Sequence, residues 1–210
     1  MKIGRGLAVL AALSVLAVVL GGCNPEGTPQ ARSELVWGVP ECQVGIVGDS
    51  LVEGARDIGG LTEKFQVRGC EVVNIDAKVS RHSTDGAAIV EAWAAAGMLP
   101  RILVVALGTN ECSVPPFAGP FLRILAAAGP DRPIIWVNTW RPGCDTAIND
   151  SLFAFQKELN ARPDMGNVWI LNHWQWVYEN RGVLARDGIH LNSDGYRGYA
   201  DRIVAAVLGT

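Results

Sequence analysis

Histidine is scarce in this chain, with only His82, His173 and His190 among 210 residues. No Cys-x-x-Cys pair occurs, so the spacing on which most structural zinc sites are built is missing, and no metal or other cofactor is expected. An excess of basic charge is also missing. Eighteen Lys and Arg stand against 21 Asp and Glu, a net charge of −3, so nothing in the charge balance asks for nucleic acid. The first apolar run, Leu7 to Leu20, is broken only by Ser14 and has 14 residues, short of the roughly 20 that a bilayer-spanning helix needs. No long apolar loop suggests a lid over a lipid substrate.

What is present at the N-terminus follows the order of a secretory signal: Lys2 and Arg5, the short apolar run, then Leu20-Gly21-Gly22-Cys23. That tetrapeptide resembles the lipobox of bacterial lipoproteins, which implies cleavage before Cys23 and lipidation of its thiol. Two or more acyl chains anchor stably, since each buried methylene contributes about 0.8 kcal/mol. Residues 1–22 are thus expected to be the signal peptide. Residues 23–40, rich in Pro, Gly and polar side chains, read as a tether, and residues 41–210 as one domain. The expected location is extracytoplasmic, on a bacterial cell envelope, with the membrane as partner through the lipid. Beyond Cys23 an even number of cysteines remains, Cys42, Cys70, Cys112 and Cys144, which suits an oxidising compartment and allows three pairings. The domain is large enough for a proper core, so disulfides would be staples to it.

Five short β-rich apolar runs recur: Gln43 to Val47, Glu71 to Ile75, Ile102 to Leu107, Ile134 to Asn138 and Val168 to Leu171. Helical spacing fills the gaps, over Asp85 to Ala96 (Ala88, Ile89, Ala92, Trp93 and Ala96 forming the apolar stripe), Phe117 to Ala128, Thr146 to Asn160, and Asp194 to Leu208 with Ser193 or Asp194 as cap. Such alternation predicts an α/β protein with a parallel sheet covered by helices on both faces. Crossovers return each strand in the same direction, so the residues that follow the strands gather along one carboxyl edge, where sites in open α/β sheets lie. Gly48-Asp49-Ser50, Ser80-Arg81, Gly108-Thr109-Asn110, Thr139-Trp140-Arg141 and Asp187-Gly188-Ile189-His190 are all brought there.

A serine hydroxyl is a weak nucleophile until a base takes its proton, and imidazole is the usual base. Of the three histidines, only His190 has a carboxylate three residues before it in a Gly-containing loop. Asp187 can therefore hold one ring nitrogen while the other faces Ser50. Taken singly, Ser50 reads as an N-cap, Asn110 as a turn residue and Asp187 with His190 as a polar loop. Together they supply a nucleophile, an oxyanion donor, an orienting acid and a base. Asp49 is expected to cap the following helix or order its loop, and His82 and His173 to be structural or solvated.

The blocks "IVGDSL", "ALGTN" and "DGIHLNSDGYRGYA" resemble those of the SGNH (GDSL) hydrolase superfamily. "VNIDAKVSRHS" and "IIWVNTWRP" are most similar to the extracytoplasmic SGNH domain of peptidoglycan O-acetyltransferase-like proteins, and the resemblance extends from Val44 to Val207. The Gly-x-Ser-x-Gly elbow of α/β-hydrolases is absent. The resemblance implies a three-layer flavodoxin-like fold with a five-stranded parallel sheet. It makes Ser50 the nucleophile, His190 the base and Asp187 its orienter, with the Ser50 N–H and the Asn110 amide as oxyanion donors. A third donor, a glycine N–H in the family, falls at Ser80, which puts a non-glycine residue where a glycine-type backbone angle is expected. Arg81 and Trp140 are candidates for substrate contact, with a salt bridge for Arg81 and burial for Trp140 as the structural alternatives. In this topology strands one and two are neighbours, so Cys42 is expected to pair with Cys70 ahead of them, and Cys112 with Cys144 beyond strands three and four. The function implied is that of a serine esterase or acyltransferase acting on O-acyl, chiefly O-acetyl, esters of a cell-envelope polysaccharide or on small acyl esters. A transferase would need a membrane acyl-donor protein as partner. A noncatalytic carbohydrate-binding lipoprotein, or a lysophospholipase or thioesterase, are the alternatives.

Overall fold

A computed structural model describes residues 42–112, 118–143, 145–160 and 167–209. The signal segment 1–22, the lipidation site Cys23, the tether 23–40 and Cys144 lie outside the described residues. Five strands, β1 (Cys42–Gly48), β2 (Cys70–Ala77), β3 (Ile102–Ala106), β4 (Pro133–Val137) and β5 (Asn167–Leu171), form one sheet in the order β2-β1-β3-β4-β5. Every pairing is parallel. The helices are α1 (Ser50–Asp57), α2 (Leu61–Gln66), α3 (Ser83–Ala95), α4 (Ala118–Ala128), α5 (Asp145–Asn160), α6 (His173–Glu179) and α7 (Ser193–Leu208), with a 3₁₀ turn at Arg181–Val183. No helix of the described residues is long and apolar enough to cross a membrane.

The period of two along each strand sorts its side chains between two cores. Val44 and Ile46 of β1, Val104 and Ala106 of β3, and Ile135 and Val137 of β4 pack beneath α1, α2, α6 and α7. Val47, Leu103, Val105, Ile134 and Trp136 point the other way, against α3, α4 and α5. Central strands buried on both faces read as continuous apolar runs, which is why "ILVVAL" and "IIWV" are legible as strands. The three-layer α/β architecture expected from the sequence is present.

Several local expectations are corrected. The cap of α7 is Asn192, whose side chain accepts from Gly195 N at 2.9 Å, one residue ahead of the two named. Helix α3 buries Gly86, Ala87, Val90 and Trp93, whereas Ala88, Ala92 and Ala96 face solvent. Cys42 and Cys70 are disulfide-bonded as expected, their Cα atoms 4.6 Å apart on paired strands. Cys112 is also disulfide-bonded.

Candidate active site

The turn from β1 into α1 is made tight by Gly48. A Cβ there would lie 2.1 Å from Cγ2 of Val52, so only glycine lets the helix close onto the strand end. Asp49, not Ser50, caps α1. Its buried carboxylate accepts from Leu51 N at 3.0 Å, and Ser50 becomes the first helical residue with its hydroxyl free for another partner. That partner is His190. Ser50 Oγ lies 3.0 Å from Nε2, and Nδ1 of the same ring lies 2.6 Å from Asp187 Oδ2. An ionised carboxylate only accepts, so Nδ1 carries the proton, leaving Nε2 to accept from the serine hydroxyl.

The loop that presents this pair is pinned at several points. Leu184 and Leu191 form an antiparallel bridge, Ala185 N donates to His190 O at 2.8 Å, and Gly188 N donates to Ala185 O at 3.1 Å. Gly188 has a φ of +70°, a conformation that suits glycine. Asp187 Oδ1 accepts from the backbone N–H groups of Ile189 and His190, both at 3.0 Å, so one carboxylate fixes both the loop and the ring. The His190 bond and then the Ile189 N–H hold the Asp187 carboxyl down at about 2.

Arg81 and Trp140, the candidates for substrate contact, both direct their side-chain donors to partners within the protein. Arg81 is buried, and its guanidinium donates to Gly48 O at 3.1 Å and to both the carbonyl and the carboxylate of Asp76. Its own carbonyl accepts from Asn110 Nδ2 at 3.1 Å. One residue therefore ties together the ends of β1 and β2 and the loop after β3, which makes it a positioning residue. Asn110 spends one amide N–H on that bond and keeps a second. Beneath it, Thr109 and Thr139 share a 2.8 Å hydroxyl bond, and Asn149 clasps the Thr139 backbone from both sides. Trp140 is buried too, and its Nε1 donates to Gly188 O at 3.0 Å, bracing the Asp187–His190 loop. The sequence offered no signal for this brace beyond the position of Trp140 at the strand end.

Ser80 is the sole non-glycine with positive φ among the described residues, at +58°. The backbone angle associated with glycine at this position is thus retained by serine. Asp49 lies deep enough that burial pushes its carboxyl up to about 6. His173 is structural, buried with neither ring nitrogen bonded among the described residues, and burial drives it down to about 3. His82 is exposed, with Nδ1 3.6 Å from Glu111. No cluster of His, Cys, Asp and Glu suited to a metal occurs among the described residues.

A parallel sheet of this order, with Ser50, His190, Asp187 and Asn110 at its carboxyl edge, has the fold of the SGNH (GDSL) hydrolases. Among solved structures, the C-terminal catalytic domain of Streptococcus pneumoniae peptidoglycan O-acetyltransferase A, bearing a methylsulfonyl adduct, is similar with a TM-score of 0.62. The match has 20% identity over 81% of this chain and 96% of that one. A carbohydrate esterase family 3 protein from Talaromyces cellulolyticus gives 0.66 at 18% identity, over 80% and 97%. A G-D-S-L lipolytic family member from Veillonella parvula gives 0.60 at 16%, over 78% and 96%. No family model matches the sequence, and no curated protein is similar to it at a significant level.

Proposed function

We propose that this chain is an extracytoplasmic, lipid-anchored serine esterase or acyltransferase, acting on O-acyl, chiefly O-acetyl, esters of a cell-envelope carbohydrate. The observation that carries this reading is the relay from Ser50 Oγ through both nitrogens of His190 to Asp187. In the proposed first step the Ser50 oxygen bonds to the ester carbonyl carbon as His190 Nε2 takes its proton. The carbonyl oxygen gathers negative charge, which the Ser50 N–H and the remaining Asn110 amide N–H offset. Asp187 stabilises the imidazolium. The C–O bond to the sugar then breaks, the sugar oxygen leaves with the proton from Nε2, and the acyl group stays on Ser50. Water, or a second sugar hydroxyl, gives its proton to His190 and takes the acyl group, which separates the esterase from the transferase. The lipobox-like tetrapeptide supports the anchored location, and a transferase would draw its acyl group from a membrane partner.

The test is hydrolysis of p-nitrophenyl acetate by the chain from Ser33 onward, combined with labelling by a sulfonyl fluoride and mass spectrometry. Turnover that disappears in Ser50→Ala, with the label on Ser50, is the expected result. Asn110→Ala is expected to lose about 10² to 10³ in turnover, the usual cost of one oxyanion donor. Absence of both turnover and label in folded protein would replace the enzyme by a carbohydrate-binding lipoprotein. A preference for long acyl chains over acetyl would point to a lysophospholipase or thioesterase.

A further inference from the structure

Beside the Asp187–His190 loop, the Arg181 guanidinium lies between two aromatic faces. Its Cζ is 4.0 Å from the ring centroid of Trp140 and 4.9 Å from that of Tyr178, and its Nε donates to Tyr178 O at 3.2 Å. Tyr178 in turn stacks on Trp174, with centroids 5.3 Å apart and planes 14° from parallel. Trp140 is the same ring whose Nε1 holds Gly188 O, so the cation lies one indole away from the catalytic loop. Arg181 is nevertheless exposed, and no carboxylate of the described residues pairs with it. An arginine held by its faces and by Nε has already lost most of its side-chain freedom, and its two terminal amino groups remain as donors for a ligand.

Two further cations stand in the loops of the carboxyl edge. Arg186, inside the loop, and Lys78, after β2, are also exposed and lack a carboxylate partner among the described residues. Of the carboxylates at the strand ends, Asp76 is paired with Arg81, whereas Asp49, Glu53 and Glu111 accept from the backbone N–H groups of Leu51, Val79 and Ser83, and Asp187 from the His190 ring. We infer that Arg181 centres an anion-binding subsite that takes a carboxylate or phosphate group of an acidic glycan, flanking the acyl ester presented to Ser50. The planar fork meets such an oxyanion edge-on with two N–H donors. The inference deepens the esterase reading and rests on it for the glycan's role as substrate, but the binding it asserts is measurable without turnover.

Equilibrium binding of three non-acetylated polymers by the full chain tests it: polygalacturonate for carboxylate, poly(glycerol phosphate) for phosphate, and xylan as the neutral control. Wild-type protein is expected to bind at least one polyanion more tightly than xylan, and to lose about tenfold of that affinity in Arg181→Gln, the usual scale of one charged hydrogen-bonded contact. Arg181→Lys, which keeps the charge but not the fork, is expected to recover only part, and added salt to erode the preference. The polyanion whose binding depends on Arg181 identifies the group. Equal binding of both polyanions by wild type and by folded Arg181→Gln overturns the subsite. Failure of wild type to hydrolyse p-nitrophenyl acetate strikes only the esterase reading.

Discussion

At the scale of single residues, Ser80 is the most informative, the one non-glycine of positive φ among the described residues. A left-handed conformation costs an L-residue about 1–2 kcal/mol, because Cβ crowds the following carbonyl, and the loop keeps that conformation with a side chain in place. Strain of this kind persists where the surroundings over-determine the backbone, and here the neighbouring Arg81 is locked to Gly48, Asp76 and Asn110. Glycine relieves the strain but frees the unfolded chain, which returns about 0.4–1 kcal/mol. Ser80→Gly is therefore expected to raise stability by about 0.5 kcal/mol and to leave the proposed esterase turnover unchanged, since the backbone N–H is unchanged. Urea unfolding midpoints, measured beside p-nitrophenyl acetate turnover, decide the matter; a loss of more than about 1 kcal/mol in Ser80→Gly would show that the serine hydroxyl holds the turn. Side-chain roles were the least legible feature of the sequence. Arg81 and Trp140 stand where a substrate contact would stand, and only three-dimensional packing shows that each has its donors turned inward.

At the scale of elements, β1 and β2 are joined at their first residues, Cys42 opposite Cys70. The pair is 28 residues apart in sequence, and closing a loop of that length removes about 3.5 kcal/mol of unfolded-chain entropy in the polymer model. Replacing both cysteines by alanine is expected to lower stability by about 2–4 kcal/mol, read by denaturant unfolding, while the distant carboxyl edge keeps its turnover. Loss of turnover in protein that remains folded would mean that β2 slides and takes Arg81 with it. The three central strands were legible because buried parallel strands are short and apolar, and the half-exposed edge strands β2 and β5 because each keeps a short apolar, β-branched run. β2 runs on through Asp76 and Ala77, which pair with Val47 and Gly48 despite the polar residue. The short helices were not legible. α2 and α6 have six and seven residues, too few to display a period of 3.6, and α2 starts from Gly60 at φ +69° without a side-chain cap. The stripe of α3 was misplaced because alanine, which fills much of that helix, is accepted on either face. Asn192-Ser193-Asp194 offers three consecutive capping residues, and only the geometry selects the first.

Across the whole molecule, two buried ionisable groups flank Tyr199 of α7 and oppose one another. His173 stacks its ring 4.4 Å from that of Tyr199, and the charge of Asp49 helps to raise the Tyr199 hydroxyl well above its usual range, after burial. Burial lifts Asp49 from 3.8 to about 6. The native state then holds a proton that the unfolded chain releases, so this contribution to stability is fully present below 3.8 and is lost as pH rises through about 6. His173 has the opposite sign: burial, with the nearby Arg202 charge, lowers it from 6.5 to about 3. Its contribution is present above 6.5 and is lost as pH falls toward about 3. Between about pH 4 and 6 each group alone changes stability by about 2 kcal/mol, at no more than 1.36 kcal/mol per unit, and the two changes oppose one another. Asp187, held at about 2, acts below this window, where its stabilisation is lost as pH falls, and its exposure keeps that effect small. Wild-type stability is therefore expected to vary less from pH 4 to 6 than that of either single variant. Asp49→Asn unmasks the histidine, and its stability is expected to fall by about 2 kcal/mol on acidification across the window. His173→Phe keeps the aromatic packing, unmasks the aspartate, and is expected to gain about as much, while the double variant returns to a flat profile. Urea unfolding at a series of pH values measures the slopes whatever constant offset each substitution adds. Two single variants with the same slope as wild type would show that neither group titrates in the folded protein as its burial dictates.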